Sequence, residues 1–225
     1  MSTVADATPN VAASLIDSLI STNRGDRRAF DYAGRTYSYQ DVAALMNRTA
    51  NMLVGLGVRP GAHVLLLMPE SPAFVASLLG TIRAGAVPVI GATTESDDVE
   101  RCIEEATPSG AIVHESCLPL ADAALARIPR EAIVVVGNDA HGYTKFVDAV
   151  RAQASWIASA PIAADAPALA LWNGRRMEVM SHADVGRLVG AEAPFSMEGV
   201  VPAVARVRAM LRSFGAGDAV TLGAA

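Results

Sequence analysis

The segment from His114 to Cys117 brings together side chains that are common in catalysis: a histidine, a glutamate, a serine and a cysteine in succession. A nucleophile and its base must face one another at hydrogen-bond distance. Neighbouring residues at the end of a strand instead point in divergent directions. We therefore interpret the segment as an ordinary loop without a catalytic role.

A second group of side chains is acidic and could suggest a bound metal ion; its members are Asp97, Asp98, Glu100, Glu104 and Glu105. Carboxylates near a helix N-terminus are favoured by the helix dipole alone. We therefore expect one solvated acidic helix face rather than a metal site. Cys102 and Cys117 have no Cys or His partner at metal-ligand spacing, so both are predicted to be buried or partly buried thiols.

A third segment, LWNGRRMEVMSH, ends at His182 and could contact an anion through its arginines. Asn173-Gly174 lies between two apolar runs, which is the strongest short signal for a tight hairpin. Arg175 and Arg176 could attract phosphate, but Glu178 beside them would repel it. We interpret the two arginines as solvated side chains at a turn.

The elements that must position these segments alternate between helix and strand along the chain. Apolar spacing and capping signals at Asn10, Ser38 with Asp41, and Ser181 with Asp184 predict the helix starts. The predicted helices are Val11–Thr22, a helix after Ser38 that ends at Gly57, one from about Ser71, Asp97–Ala106, Leu118–Arg127, Thr144–Gln153, one from Ser181 to about Ala193, and Pro202–Arg212. The predicted strands are Arg28–Tyr32, Arg35–Tyr39, His63–Met68, Val87–Gly91, Ala111–His114, Ala132–Val136, Ala168–Trp172 and Ala219–Ala225.

Continuous Val/Leu/Ile strands that alternate with helices predict an α/β fold, with a mainly parallel sheet covered by helices on both faces. We divide the chain into residues 1–9 as a leader, 10–157 as an α/β subdomain, 158–167 as a linker, and 168–225 as a partial second subdomain with a hairpin and helices. The Ala- and Pro-rich composition of the linker predicts a surface path.

The amino-acid composition argues against a nucleic-acid-binding protein and against a membrane-spanning protein. The 225 residues are 52% hydrophobic but only 5% aromatic, so the core must consist mainly of Ala, Val, Leu and Ile. The net charge is −5 and the arginines are scattered, which argues against a nucleic-acid partner. No apolar stretch reaches the roughly 18–20 residues that span a bilayer, and residues 1–9 lack the pattern of a signal peptide. We therefore expect no membrane partner and a cytoplasmic protein.

The segment from Asn10 to about Val113 resembles the opening domain of the adenylate-forming (AMP-dependent synthetase/ligase) superfamily, nearest to the benzoate and other aryl-CoA ligases. Several landmarks of the family occur here at the spacing that the family shows. They are Tyr37-Ser38-Tyr39, Asn47, Ala50, Gly57-Val58-Arg59-Pro60-Gly61 and Arg83-Ala84-Gly85-Ala86-Val87-Pro88-Val89. The resemblance implies a truncated N-terminal domain of such an enzyme, without the family's adenine motif, ribose-binding aspartate and mobile C-terminal domain.

The resemblance also implies where a phosphate-binding loop should lie. The family loop, close to [ST]-[ST]-G-[ST]-[ST]-G-x-P-K-G, follows a strand and precedes a Ser/Thr-His element, and its glycines, hydroxyls and lysine hold the nucleotide phosphates. Here the flanking strand and Ser181-His182 remain, but between them stand Asn173, Gly174, Arg175 and Arg176 in a shorter connection. The loop is degenerate, and Ser181 and His182 are vestigial. Phe214, in a stretch similar to a family segment that walls the acyl or aryl pocket, is either a pocket remnant or a core residue.

Two function classes follow. The first is a non-catalytic relative of acyl/aryl-CoA ligases, a pseudoenzyme that serves as an interaction or regulatory module and binds no cofactor itself. The second is a component of a carboxylate-CoA ligase that another chain completes, in which case ATP, Mg and CoA are expected. A degraded gene product without a selected role is a third possibility. The expected partners are a second copy of the chain, as a homo-oligomer, or a full-length ligase-type protein.

Overall fold

Helices and strands alternate through most of the computed structural model, which describes residues 10–91, 96–158, 162–190 and 202–222. The helices are α1 (Val11–Ser21), α2 (Tyr39–Gly55), α3 (Pro72–Arg83), α4 (Ser96–Ala106), α5 (Leu118–Leu125), α6 (Phe146–Arg151), α7 (His182–Gly190) and α8 (Pro202–Ala216). The strands are β1 (Arg28–Tyr32), β2 (Arg35–Ser38), β3 (His63–Leu67), β4 (Val87–Gly91), β5 (Gly110–His114), β6 (Ile133–Val136), β7 (Thr144–Lys145), β8 (Pro167–Trp172), β9 (Met177–Ser181) and β10 (Val220–Thr221).

Seven strands form the main sheet, in the order β7-β6-β5-β3-β4-β8-β9. Neighbouring strands run parallel except for β8 and β9, which pair antiparallel at one edge. A smaller sheet has the order β10-β1-β2. The predicted α/β fold with a mainly parallel sheet is confirmed.

Both faces of the main sheet are buried. Along β3, Val64 and Leu66 belong to the core on one face, while Leu65 and Leu67 belong to the core on the other. Helices α1, α2, α3, α6, α7 and α8 contribute to the first core, and α4 and α5 to the second. Because successive side chains of a strand point to opposite faces, strands buried on both faces are apolar throughout.

Helices α2 and α3 approach closely at Gly80. A Cβ built on Gly80 would lie 2.7 Å from the Cβ of Thr49 and 2.9 Å from the carbonyl oxygen of Met46. Since real Cβ atoms do not come this close to backbone, only glycine permits this helix pair to pack so tightly. The contact fixes the position of α3 relative to α2.

Most predicted elements lie within a few residues of their predicted bounds, and Asn10 and the Ser38–Asp41 capping box open helices as expected. The predicted helix Thr144–Gln153 is wrong at its start, because Thr144 and Lys145 pair with β6 as an edge strand. The predicted strand Ala219–Ala225 is observed only at Val220–Thr221, and residues 223–225 lie outside the described ranges. The predicted end of α7 near Ala193 also lies outside them.

The two thiols behave as predicted, with Cys102 buried and Cys117 partly buried. Burial raises the pKa of Cys102 to about 12. None of the helices in the described part of the chain has the length and apolar character needed to cross a bilayer.

Candidate functional site at the β8–β9 turn

Strand β8 leads to the position where the resemblance places a phosphate loop. Residues Ala168 to Trp172 are almost fully buried, and β8 pairs in parallel with β4 on one side. On its other side it pairs with β9, with Trp172 opposite Met177. Gly91 of β4 lies against Trp172, since a Cβ there would be 3.0 Å from the Trp172 Cβ. Burial and pairing on both sides therefore fix the position of the strand from which the turn begins.

The connection between β8 and β9 is a short hydrogen-bonded turn, as the Asn-Gly signal predicts. The backbone N–H of Asn173 donates to the carbonyl of Arg176 at 3.3 Å. The Oδ1 atom of Asn173 accepts hydrogen bonds from the N–H groups of Arg175 and Arg176, at 3.0 and 3.1 Å. Gly174 has φ +87°, a left-handed conformation that favours glycine. Gly174 and Arg175, rather than Asn173 and Gly174, are the two central residues.

In this turn, backbone N–H groups that a phosphate loop would offer to a ligand are hydrogen-bonded within the protein. The N–H groups of Asn173, Arg175 and Arg176 all point to acceptors within the turn. A phosphate loop instead presents successive N–H groups outward to an anion. In this turn, the N–H groups of Asn173, Arg175 and Arg176 are instead bonded to acceptors of the turn itself.

Helix α4 places carboxylates beside the turn. The indole Nε1 of Trp172 donates to Asp98 Oδ1 at 2.9 Å, and the Met177 N–H donates to Glu105 Oε1 at 2.7 Å. The same Asp98 oxygen lies 3.9 Å from where a Cβ of Gly174 would be. Asp98 also forms an ion pair with Arg101 at 3.2 Å, so both carboxylates are already engaged by groups of the protein. The expectation of a wholly solvated acidic face is thus wrong for Asp98, whose side chain is only 14% exposed.

Glu100 and Glu104 of the acidic face behave differently from Asp98. Arg127 forms ion pairs with Glu100 and Glu104 at the surface. Arg175 and Arg176, the two cations of the turn, are exposed. Within the described ranges, no group of three or more His, Cys, Asp or Glu side chains is arranged to hold a metal ion.

Ser181 opens helix α7 through the predicted capping box. Its Oγ donates to Asp184 Oδ2 at 2.6 Å, and the Asp184 N–H donates back to Ser181 Oγ at 3.1 Å. These hydrogen bonds from Ser181 hold the pKa of the Asp184 carboxyl below its ordinary value. The Ser181 hydroxyl is therefore committed to the helix start.

His182 is buried rather than presented to a ligand, with only 2% of its surface exposed. Its Nδ1 accepts a hydrogen bond from the backbone N–H of Val11 at 3.2 Å, which assigns the proton to Nε2. Nε2 is enclosed and has no partner among the described residues. Burial lowers the pKa of His182 below its ordinary 6.5, so the ring is neutral near pH 7. The histidine joins the starts of α1 and α7.

Phe214 is fully buried in α8. Its ring packs edge-on against Tyr39, with centroids 6.0 Å apart, and the Tyr39 hydroxyl donates to the carbonyl of Asp218 at 2.6 Å. Helix α8 is thereby held against α2 and the segment that leads to β10. The structure places Phe214 in the core.

The segment after β5 is a short 3₁₀ helix, Glu115–Cys117, rather than an open loop. His114 Nδ1 accepts from the Ser116 N–H at 3.2 Å and lies 2.7 Å from Ser116 Oγ. Glu115 Oε2 accepts from the Asp139 N–H at 2.7 Å. Ser116 Oγ therefore lies within reach of both His114 Nδ1 and, at 3.9 Å, Cys117 Sγ, while Glu115 contacts a different segment. The expected divergence of neighbouring side chains is thus wrong for His114 and Ser116.

A family model described as AMP-binding enzyme matches residues 20–173, and the match ends at the first residue of the β8–β9 turn. Among curated relatives, a 3-hydroxybenzoate–CoA/4-hydroxybenzoate–CoA ligase from Thauera aromatica is 40% identical over 80 residues, which are 36% of this chain and 15% of the relative. A benzoate–CoA ligase from the same organism is 29% identical over 132 residues, 57% of this chain and 25% of the relative. The matched regions thus span a quarter or less of these relatives.

Solved structures agree on the fold. An anthranilate CoA ligase, AuaEII, crystallised with anthranoyl-AMP, superimposes with a TM-score of 0.81 at 22% identity, over 97% of this chain and 46% of that chain. A benzoate CoA ligase from Burkholderia xenovorans LB400 gives a TM-score of 0.72 at 22% identity, over 80% and 36%. Both the matched sequence and the sheet topology have their counterparts in aryl-CoA ligases. This chain belongs to the AMP-binding enzyme family.

Proposed function

We propose that this chain is a non-catalytic member of its family that acts as a protein-interaction or regulatory module. The observation that carries the proposal is the closed β8–β9 turn. Its N–H groups at Asn173, Arg175 and Arg176 are bonded within the turn, so the donors needed for nucleotide phosphates are already used. Binding ATP there would require these bonds to break first.

Electrostatics supports the same conclusion. Asp98 and Glu105 contact the two strands on either side of the turn. A triphosphate brings several negative charges, and bringing them close to carboxylates is unfavourable. Arg175 and Arg176 are exposed, where solvent screening weakens their attraction for an anion.

The buried histidine offers no compensating chemistry. His182 is neutral, enclosed and bonded to the backbone of Val11. A general acid or base must reach the proton that it transfers. We therefore assign no catalytic residue to this chain and no ATP, Mg or CoA to the chain alone.

An interaction role requires a surface that suits a partner, and the segment after α6 offers one. Trp156 is 72% exposed and Val54 of α2 is 51% exposed. Asn51 donates to the carbonyls of both Ala154 and Trp156 at 2.9 Å, which fixes the backbone that carries the indole. An exposed tryptophan on a hydrogen-bonded backbone segment is the kind of side chain that dominates binding at protein interfaces.

The partner that we propose is a second copy of this chain or a full-length ligase-type protein, and the proposed location is the cytoplasm. The second candidate function is a component of a carboxylate-CoA ligase that is completed by another chain. The similarity to hydroxybenzoate– and benzoate–CoA ligases favours it. In that case the other chain would have to supply the phosphate loop as well as the later domains.

The first test is calorimetric titration of the purified chain with MgATP, with a full-length benzoate–CoA ligase as the positive control. We expect no saturable binding in the micromolar range and no carboxylate-dependent pyrophosphate exchange with benzoate or hydroxybenzoates. Saturable micromolar ATP binding by the chain alone would contradict the proposal. Pyrophosphate exchange that appears only when the product of an adjacent reading frame is added would establish the second candidate instead.

A further inference from the structure

A cavity of about 450 Å³ opens between β2, α2, α3 and α6, away from the β8–β9 turn. Its volume lies within the range of roughly 300–1,000 Å³ that is typical of pockets for small organic ligands. Leu45, Ala73, Val136, Phe146 and Val150 contribute an apolar lining. The cavity is therefore suited to the hydrocarbon part of a small molecule.

The charged side chains of this cavity are mostly cationic. Arg35, Arg48 and Arg151 line it, with Asp41 as the one acidic lining residue. This local excess of positive charge stands in a chain whose net charge is −5. Asp41 is committed to the start of α2, because its Oδ2 accepts from both the N–H and the hydroxyl of Ser38 at 2.9 Å. The cavity thus combines an apolar wall with an unbalanced positive charge.

Arg48 is the central cation for the argument. The side chain is partly buried, and its Nε is enclosed without a hydrogen-bond acceptor among the described residues. No ion pair is formed by Arg48, Arg35 or Arg151 within the described ranges. An enclosed donor without an acceptor is unfavourable, and a ligand oxygen would satisfy it.

Arg35 is held in place at the same cavity by an aromatic stack. Its guanidinium lies 4.6 Å from the centroid of the Tyr37 ring, and Tyr37 stacks on Phe30 with centroids 4.7 Å apart. Stacking of this kind restricts the arginine without neutralising it. Arg35 is exposed, so it is a second cation that lines the same cavity, while the partly buried Arg48 carries the argument.

We propose that this cavity binds a small organic anion with an apolar body, an aliphatic carboxylate, whose head group pairs with Arg48 and Arg35 and whose chain contacts Leu45, Ala73 and Val150. Arginine matches a carboxylate because its planar group donates two parallel hydrogen bonds. The proposal does not depend on the state of the β8–β9 turn. It assigns a ligand class to a site on a different part of the sheet.

The test compares octanoate with 1-octanol, which has the same chain length but no charge, by titration into the isotopically labelled chain while amide chemical shifts are recorded. Octanoate is expected to bind saturably and to shift amides of α2, α3 and α6, whereas octanol binds about tenfold or more weakly. Arg48→Gln is expected to weaken octanoate binding about tenfold, since one charge-assisted contact is lost. Ala73→Leu, which fills the cavity, should weaken it at least as much.

Arg59→Gln is the matched control, because Arg59 is exposed and does not line this cavity. It should leave octanoate binding unchanged. Equal affinity for octanoate and octanol, shifts that map elsewhere, or binding that is insensitive to both Arg48→Gln and Ala73→Leu would overturn the proposal. If Arg48→Gln does not fold, the shift map and Ala73→Leu still decide the outcome.

Discussion

The imidazole of His182 accepts a hydrogen bond from the backbone N–H of Val11, a residue 171 positions earlier in the chain. Val11 is the first residue of α1, so its N–H is one of the donors that a helix start leaves without an intrahelical partner. Asn10, the capping residue of α1, serves two other donors, the N–H groups of Ala12 and Ala13. Two helices far apart in sequence therefore share one buried capping arrangement.

Replacement of His182 tests this arrangement. His182→Ala should lower the free energy of unfolding by about 2–3 kcal/mol, because it leaves the Val11 donor unpaired and opens a small cavity. His182→Asn keeps an acceptor near the position of Nδ1 and should lose less. Urea denaturation at pH 7.5 measures both, and a loss below about 0.5 kcal/mol for His182→Ala would contradict the capping role.

The same histidine predicts a pH dependence. Since burial lowers the pKa of His182 in the folded state, the unfolded chain binds the proton more readily. The stability that depends on the neutral ring is therefore complete above pH 6.5 and falls as the pH drops below that value. Relative to wild type, His182→Asn should flatten this part of the stability profile. His141→Asn, at an exposed histidine that lies 3.8 Å from Asp139, is the comparison variant at the surface.

The closed turn predicts a specific role for the Asn173 side chain. Asn173→Ala removes the acceptor for two backbone N–H groups and should destabilise the protein by about 1 kcal/mol. Asn173→Asp keeps a side-chain oxygen in the position of the amide acceptor and should lose less. Thermal unfolding of the two variants compares them. Equal stability of Asn173→Ala and wild type would show that the side-chain bonds do not hold the turn.

Because α2 and α3 pack closely at Gly80, we expect that adding a single methyl group there destabilises the protein. Gly80→Ala would place a Cβ 2.7 Å from Thr49 Cβ, so the helices must separate, at a cost of roughly 1–3 kcal/mol. Gly186→Ala in α7 is the matched control, because no atom lies within 4 Å of the new Cβ. That change should be neutral or stabilise the protein by up to about 1 kcal/mol, as alanine is the better helix former. Chemical denaturation measures the free energy of unfolding of both variants. If Gly80→Ala is as stable as Gly186→Ala or more stable, the packing argument is wrong.

The exposed tryptophan predicts self-association. Sedimentation of the purified chain over a dilution series should show a reversible oligomer, and Trp156→Ala should weaken it by tenfold or more while leaving stability unchanged. Val179→Ala, which trims an exposed apolar residue on β9, is the control and should not affect the oligomer. A strictly monomeric wild type would exclude the second-copy partner and leave a ligase-type protein as the partner to test.

Much of the fold could be predicted from local patterns. The continuous apolar strands predicted a sheet buried on both faces, and the capping pairs at Ser38 and Ser181 predicted helix starts, because both signals depend on residues near one another in sequence. The Asn-Gly pair predicted the tight turn for the same reason. The prediction that a helix begins at Thr144 was wrong, because pairing of Thr144 and Lys145 with β6 outweighed the local helix preference.

The side-chain environment of the turn could not be predicted in this way. Asp98 reaches Trp172 across 74 positions and Glu105 reaches Met177 across 72. Their helical spacing indicated only an acidic face, and the packing of α4 on the sheet brought Asp98 and Glu105 of that face to β8 and β9. The same holds for Arg35, Arg48 and Arg151, which three separate elements bring to one cavity.

The sequence by itself determined the family and most of the order of the elements, and it predicted a connection between Trp172 and Ser181 without the glycine, hydroxyl and lysine donors of a phosphate loop. Each of these depends on residue types and short spacings. Only the tertiary structure decided that the N–H groups of Asn173, Arg175 and Arg176 are bonded within the turn, that His182 is a buried cap for Val11, and that three arginines share a cavity. The physical reason is that hydrogen bonding, burial and charge depend on distances between atoms, and the folded sheet brings together residues that the sequence keeps far apart.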